Sequence, residues 1–228
     1  EKDTRFIQVD FSATPYTVTG SGLKRTRHFF PHVITNFELV NAIRHGLVKT
    51  VAIDKRKEIA ALPLDFKAEK EGKTITLSEG QRVMLRAGLT KLRILEEGFS
   101  KIDASKHPKM LIICEESIHV PDLVNQFLIQ EGLSAEDIME IHSNRQGEIS
   151  QDEWEQVKQR LFDLDGHEKP KVIISVLMLR EGFDVNNICV IVPLRSSTSY
   201  ILLEQTIGRG LRQMWREPQY QESKRENR

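Results

Sequence analysis

The stretch Val172-Ile173-Ile174-Ser175-Val176, followed after a polar turn by Ile188-Cys189-Val190-Ile191-Val192, decides the fold. Both runs are short, almost wholly apolar and rich in β-branched residues, and Met110-Leu111-Ile112-Ile113-Cys114 is a third of the same kind. A strand with one face in water alternates apolar and polar residues, whereas a run without alternation is covered on both faces, as in parallel sheets. The segments between these runs have a helical period. Val120, Leu123, Val124, Phe127 and Leu128 follow the i, i+3, i+4, i+7 spacing, with Pro121 and Asp122 suited to a first turn. Trp154, Val157, Leu161 and Leu164 repeat the pattern behind a capping box formed by Ser150 and Glu153. Asp137 to His142 supplies a further short strand. Strands alternating with helices predict an α/β domain on a mainly parallel sheet, over about residues 106–215.

Outward from that core the pattern is less regular. Arg5 to Phe11 reads as a strand running into Ser12-Ala13-Thr14-Pro15, and Tyr16 to His32, with Gly20, Gly22, Lys24, Arg25 and Arg27, reads as a connector. Phe37, Val40, Ile43 and Leu47 predict a short helix, and Val48 to Ile53 a strand. Lys67 to Lys73 is a charged loop. Ser78 to Phe99 is a long helix opened by the capping pair Ser78 and Gln81, carrying Val83, Met84, Ala87, Leu92, Leu95 and Phe99, with Gly98 as its stop.

Composition narrows the class. With 33 basic and 33 acidic residues and 39% hydrophobic residues, the chain is neither disordered, collagen-like nor a disulfide scaffold. No apolar run approaches the roughly 18 residues of a membrane span, and no charged-then-apolar leader opens the chain. Cys114 and Cys189 fall inside strand-like runs, which predicts core thiols in a reducing compartment and a cytoplasmic location. Charge is unevenly spread: Glu1 to Ala60 holds 10 basic against 6 acidic residues, and Asp137 to Glu168 holds 9 acidic against 3 basic. That asymmetry suits a polyanion lying across one face and equally suits an ordinary solvated surface.

The segment Gln205-Thr206-Ile207-Gly208-Arg209-Gly210-Leu211-Arg212 is the strongest candidate for chemistry. On a helix over residues 199–214, Gln205, Arg209 and Arg212 fall on one side, while Tyr200, Leu203, Ile207, Leu211 and Met214 anchor the other. Two guanidiniums in register suit an oxygen-rich anion, because each offers a rigid fork of donors. Gly208 leaves the backbone open to a ligand. Two glycines inside a helix each cost about 1 kcal/mol, which a merely solvated basic face gives no reason to bear.

Gln205-x-x-Gly208-Arg209-x-x-Arg212 resembles motif VI of the superfamily 2 helicases and translocases, and further motifs stand in that family's order. Leu179-Arg180-Glu181-Gly182-Phe183-Asp184-Val185 resembles motif V, Ser12-Ala13-Thr14 resembles motif III, and Met110 to Glu116 resembles the motif IV strand. The wording Phe-Ser-Ala-Thr-Pro and Leu-Arg-Glu-Gly-Phe-Asp-Val is similar to the helicase subunit (Res) of type III restriction enzymes. Type I restriction motors and the bacterial excision-repair helicase are worded similarly.

The resemblance implies a RecA-like fold and a fragment running from motif III to motif VI of a longer protein that has no Met at residue 1 here. Residues 1–17 would end the first RecA-like domain, 18–105 form a connector and partly helical insert, 106–215 form the second RecA-like domain, and 216–228 a charged tail. It implies that Arg212 acts as an arginine finger toward a triphosphate on the first domain, an interaction worth ~10³–10⁵ in rate in related enzymes. Arg209 would support the γ-phosphate, and Gln205 would position a water or bridge to motif III. Gly182 and Gly208 would permit backbone approach to the nucleotide, and Asp184 would meet the ribose or the arginines. Ser12 and Thr14 would couple nucleotide state to DNA. Val176 stands where the DEAD-box proteins carry a nucleic-acid-contacting Thr, so the adjacent Ser175 is the candidate for that contact. The intact protein would use ATP and Mg2+, act on double-stranded DNA, and pair with a modification methyltransferase subunit, with no membrane involved. This fragment alone would bind no cofactor and be inactive, and a nuclease domain would lie beyond Arg228.

Other short matches are decoys. Gly72-Lys73-Thr74 ends like a phosphate loop, but Lys67 occupies its leading glycine position. Asp152-Glu153 follows a helix cap where a magnesium-binding acid follows a strand, Asp65 with Glu71 has no strand framework, and the His and Cys residues show no metal spacing. Three readings stay open at this level: a motor fragment, a catalytically silent nucleic-acid-binding module, and an unrelated doubly wound nucleotide protein. Against the last stands the absence of a glycine-rich phosphate loop after the first strand.

Overall fold

The computed structural model describes residues 16–20, 26–35, 37–53, 68–71, 74–114, 119–141, 155–156, 159, 161–162, 164–176, 185–194 and 207–217. Contacts group the chain into two compact units, Glu1–Asn41 and Ala42–Arg228.

The first unit holds a hairpin, β1 (Tyr16–Thr19) with β2 (Thr26–Phe29), antiparallel and in register from Tyr16 opposite Phe29 to Thr19 opposite Thr26. A connector was expected here. Tyr, Thr and Val favour extended backbone, and Gly20, at φ 85, supplies the left-handed conformation that starts the reversal. The rings of Tyr16 and Phe29 lie 5.4 Å apart, and the Arg27 guanidinium sits 4.8 Å over Tyr16. The predicted short helix is α1 (Leu39–Arg44), which buries none of its residues. Residues 48–53 are not a strand.

The second unit is built on a four-stranded, all-parallel sheet in the order β6-β7-β5-β8, comprising β5 (Lys109–Cys114), β6 (Ile138–Ile141), β7 (Val172–Val176) and β8 (Ile188–Leu194). The three apolar runs are thus neighbours, β5 lies between β7 and β8, and the α/β class with a parallel sheet is as expected. Long helix α2 (Glu79–Ser100) and α3 (His119–Gln130) cover one face. Leu85, Leu89 and Leu92 of α2 and Val124 and Leu128 of α3 pack there on Met110, Ile112, Val172, Ile174, Val190 and Val192. The other face buries Leu111, Met139, Ile141, Ile173 and Ile188 with Leu161, Leu164 and Val185. A short hairpin, β3 (Glu69–Glu71) with β4 (Thr74–Thr76), replaces the expected charged loop.

Helix α2 opens as predicted: the Ser78 hydroxyl accepts from Gln81 N–H (3.3 Å) and the Gln81 side chain accepts from Ser78 N–H (3.0 Å). Of the apolar residues expected on it, Leu92 is buried and Met84 and Leu95 pack partly buried on the core, while the fully buried stripe also takes in Gln81, Leu85, Gly88 and Leu89. Gly88 sets this rotation. A Cβ there would lie 2.5 Å from Val192 Cγ2 and 2.8 Å from Met110 Sδ, so the helix rests on the sheet through its missing side chain. Gly98 does not stop the helix, which runs on to Ser100. The capping box at Ser150 lies outside the described residues, while Leu161 and Leu164 are buried as that pattern predicts.

Cys114 is buried, but Cys189 is only half-buried. Lys109 pairs with Ile188 and Met110 with Val190, so Cys189 is an extra residue bulged out of the ladder. Among the described residues, no helix is long and apolar enough to cross a membrane.

Candidate functional site

Because the four strands are parallel, Lys109, Val172 and Ile188 mark one end of the sheet, and Cys114, Val176 and Leu194 mark the carboxyl end. The first end carries a polar network. Asp165, at the end of the segment that precedes β7, accepts from Asn186 N–H (3.0 Å), Asn186 Nδ2 (2.8 Å) and Asn187 N–H (2.9 Å). Asn187, itself buried, donates through Nδ2 to the carbonyls of His107 (3.0 Å) and Asp165 (2.9 Å). The Lys109 side chain is fully buried, and its Nζ donates to the carbonyls of His167 (2.5 Å) and Glu168 (2.8 Å). Burial pushes its ammonium down from 10.5 to about 8, against the opposing pull of the Asp165 and Glu96 carboxylates.

The segment that carries Arg209 and Arg212 is fastened beside β8, the strand at one edge of the order β6-β7-β5-β8. Residues 207–210 are helical. The helix ends there rather than at Met214, since Leu211 N–H turns back to the Gly208 carbonyl (3.3 Å) and the Leu211 carbonyl accepts from Lys49 N–H (2.8 Å). Two glycines weaken the helix at this point, and a tertiary partner takes the carbonyl that a further turn would need. Leu211 and Met214 are buried, as the anchoring pattern predicts. A Cβ on Gly210 would lie 2.7 Å from Ile191 Cδ1, so this glycine serves close packing. Downstream, Trp215 meets Phe99 edge to face at 5.2 Å, Arg216 Nη2 donates to Asn186 Oδ1 (2.6 Å), and Glu217 pairs with Lys106.

Arg209 is half-buried inside the helical turn, and Arg212 is half-buried just past its end, so the two do not share one uninterrupted helical ridge. Both are engaged with neighbours. Gly208 is exposed, with nothing within 4 Å of where a Cβ would stand, so the backbone beside Arg209 is open. By Leu211 and Arg216 the segment has reached the end of the sheet where β8 begins, so the backbone around Arg212 runs along the flank of the domain. Ser175 is 2% exposed and paired with Ile113 and Ile141 in the ladder, which puts its hydroxyl beneath the surface a nucleic acid could touch. Gln205, Gly182, Asp184, Ser12 and Thr14 lie outside the described residues.

Sequence reasoning missed Asp165, Asn187, Lys49 and Lys109. The doublet Asn186-Asn187 just before an apolar run reads only as a turn, and a lysine at a strand's first position reads as solvated. Lys49 Nζ donates to the carbonyls of Asn186 (2.7 Å) and Ile188 (2.6 Å), both just before the bulged Cys189. Burial lowers the Lys49 ammonium, while the adjacent Cys189 thiol and Asp165 oppose that shift.

Residues 90–213 match the profile of the helicase conserved C-terminal domain. The chain belongs to this family. The match takes in the second half of α2, the whole parallel sheet and both arginines, and it covers more than half of the chain. It makes the α/β unit RecA-like, in agreement with the resemblance to superfamily 2 helicases and with a helicase-type, nucleic-acid-directed role. No curated protein matches the chain.

Proposed function

We propose that this helicase C-terminal domain is the second motor domain of an ATP-driven DNA translocase, in the manner of the Res subunit of a cytoplasmic type III restriction enzyme that works with a modification methyltransferase. The observation that carries the reading is the Gly208-Arg209-x-x-Arg212 segment, held beside an edge strand with open backbone at Gly208. A flank position suits arginines that reach across to a neighbouring lobe. Half-buried arginines next to uncovered backbone also fit the oxygens of a triphosphate better than they fit a neutral ligand. Mg·ATP, held by the preceding RecA-like domain, would supply the phosphoryl transfer that drives movement. Toward it Arg212 would place a fixed positive charge where the transition state gathers negative charge, and Arg209 would orient the terminal phosphate. Gln205, Gly182 and Asp184 would complete the nucleotide-facing set, and Ser12 and Thr14 would couple it to double-stranded DNA. Alone, this chain would not hydrolyse ATP.

In the intact protein, Arg212→Ala lowers DNA-stimulated ATP hydrolysis by about 10³-fold or more and leaves DNA affinity nearly unchanged. Unchanged turnover would reject the assignment. An upstream phosphate loop and acidic strand end in the parent reading frame would support the motor class, and a nuclease domain after Arg228 the restriction role.

A further inference from the structure

We infer that Lys49 is a positioning residue that ties the segment bearing Arg209 and Arg212 to the C-terminal end of the Leu179-to-Val185 stretch. The inference rests on the motor reading above, in which that stretch and those arginines act together. Lys49 lies outside the matched residues 90–213, in a stretch without regular secondary structure, yet it bonds at both of its ends. Its backbone N–H donates to the carbonyl of Leu211, the residue immediately before Arg212. Its Nζ donates to the carbonyls of Asn186 and Ile188, one and three residues after Val185. Asn186 is gripped from the other side by Asp165 through two donors, and its Oδ1 accepts from Arg216. One residue, through its backbone N–H at one end and its amine at the other, thus fixes the distance between the residues following the motif V-like stretch and the residue preceding Arg212.

An apolar side chain would fill the same space without the cost of desolvating an amine. What the amine adds is a pair of directed bonds to the backbone at Asn186 and Ile188, immediately before the bulge at Cys189. A displacement of residues 186–188 is therefore passed to Leu211 through Lys49, and from there to the adjacent guanidiniums. Misplacement of a charge by even 1 Å costs up to about 10²-fold in rate.

The test uses the intact protein, double-stranded DNA and Mg·ATP, with Lys49→Met, Lys49→Gln and Arg212→Ala compared side by side. Lys49→Met keeps the bond to Leu211 and loses both Nζ bonds. The expected result is a fall of about 10- to 100-fold in DNA-stimulated kcat, with KM for ATP within about two-fold of the parent. Amide hydrogen exchange should accelerate in residues 207–217, which the amine does not touch, and Lys49→Gln, which keeps one donor, should recover part of both effects. Full DNA stimulation in Lys49→Met while Arg212→Ala is inactive would overturn the positioning role and leave the motor reading intact. Full turnover in Arg212→Ala would overturn the reading itself. Global unfolding of both Lys49 variants, or unchanged exchange in residues 207–217, would reduce Lys49 to a packing role and also overturn the inference.

Discussion

Replacing Lys109 by methionine tests the energetics of the sheet's polar end. The ammonium titrates near 8 in the folded chain and near 10.5 once exposed. Between those values the unfolded chain holds a proton that the folded chain does not, so folding stability rises with pH across that window. Below about 8 both states are protonated, and the folded chain carries the whole penalty of the buried charge. At 1.36 kcal/mol per pH unit, the gap between the two values amounts to roughly 3 kcal/mol. Methionine fills nearly the same volume and has nothing to titrate, but it leaves the His167 and Glu168 carbonyls without their donor. That loss costs about 1–3 kcal/mol and offsets the removed penalty at neutral pH, so the two proteins should be close in stability at pH 7. Between pH 7 and 10.5 the parent should gain on Lys109→Met by roughly 3 kcal/mol. Urea unfolding followed by tryptophan fluorescence at four pH values measures the difference, and groups common to both proteins cancel. A difference that stays flat with pH would refute a buried, depressed amine. A difference that moves toward the variant would refute the sign.

Further tests address packing and the polar end. Gly88→Ala should destabilise the chain by about 1–3 kcal/mol in urea unfolding, because the new methyl meets the stiff Val192 side chain at 2.5 Å. Gly208→Ala meets nothing and should raise stability by up to about 1 kcal/mol; lowered ATP turnover in the same variant of the intact protein would mark the backbone opening as functional. Asp165→Ala strips the acceptor from three N–H groups of Asn186 and Asn187 and should cost about 2–4 kcal/mol, read as a lowered urea midpoint.

The parallel sheet was legible because strands buried on both faces must be apolar throughout, and Met110 to Cys114, Val172 to Val176 and Ile188 to Val192 are nearly so. Helix α3 was legible in its spacing and α2 in its capping pair, since both signals are local. The face of α2 was legible only in part, at Met84, Leu92 and Leu95, because its rotation depends on a glycine whose role is visible only against Val192 and Met110. The two hairpins escaped notice because their strands are short and charged or threonine-rich, so their pairing leaves little apolar pattern. At the candidate site, Leu211 and Met214 were found by periodicity, whereas the early end of the helix was set by a hydrogen bond from Lys49, far away in sequence. Asp165 and Lys109 were missed for the same reason: charged residues are read as solvated until a partner from elsewhere in the chain is seen.

The surplus residue in β8 bears on how this domain tolerates changes in length. Dropping one residue from a strand normally inverts every side chain beyond it, trading interior for exterior. Excising Cys189 would do the opposite: Val190 would follow Ile188 directly, and Val190, Val192 and Leu194 would keep their present orientation against Met110, Ile112 and Cys114. The sheet would keep its interior, and the thiol beside the Lys49 amine would be what disappears.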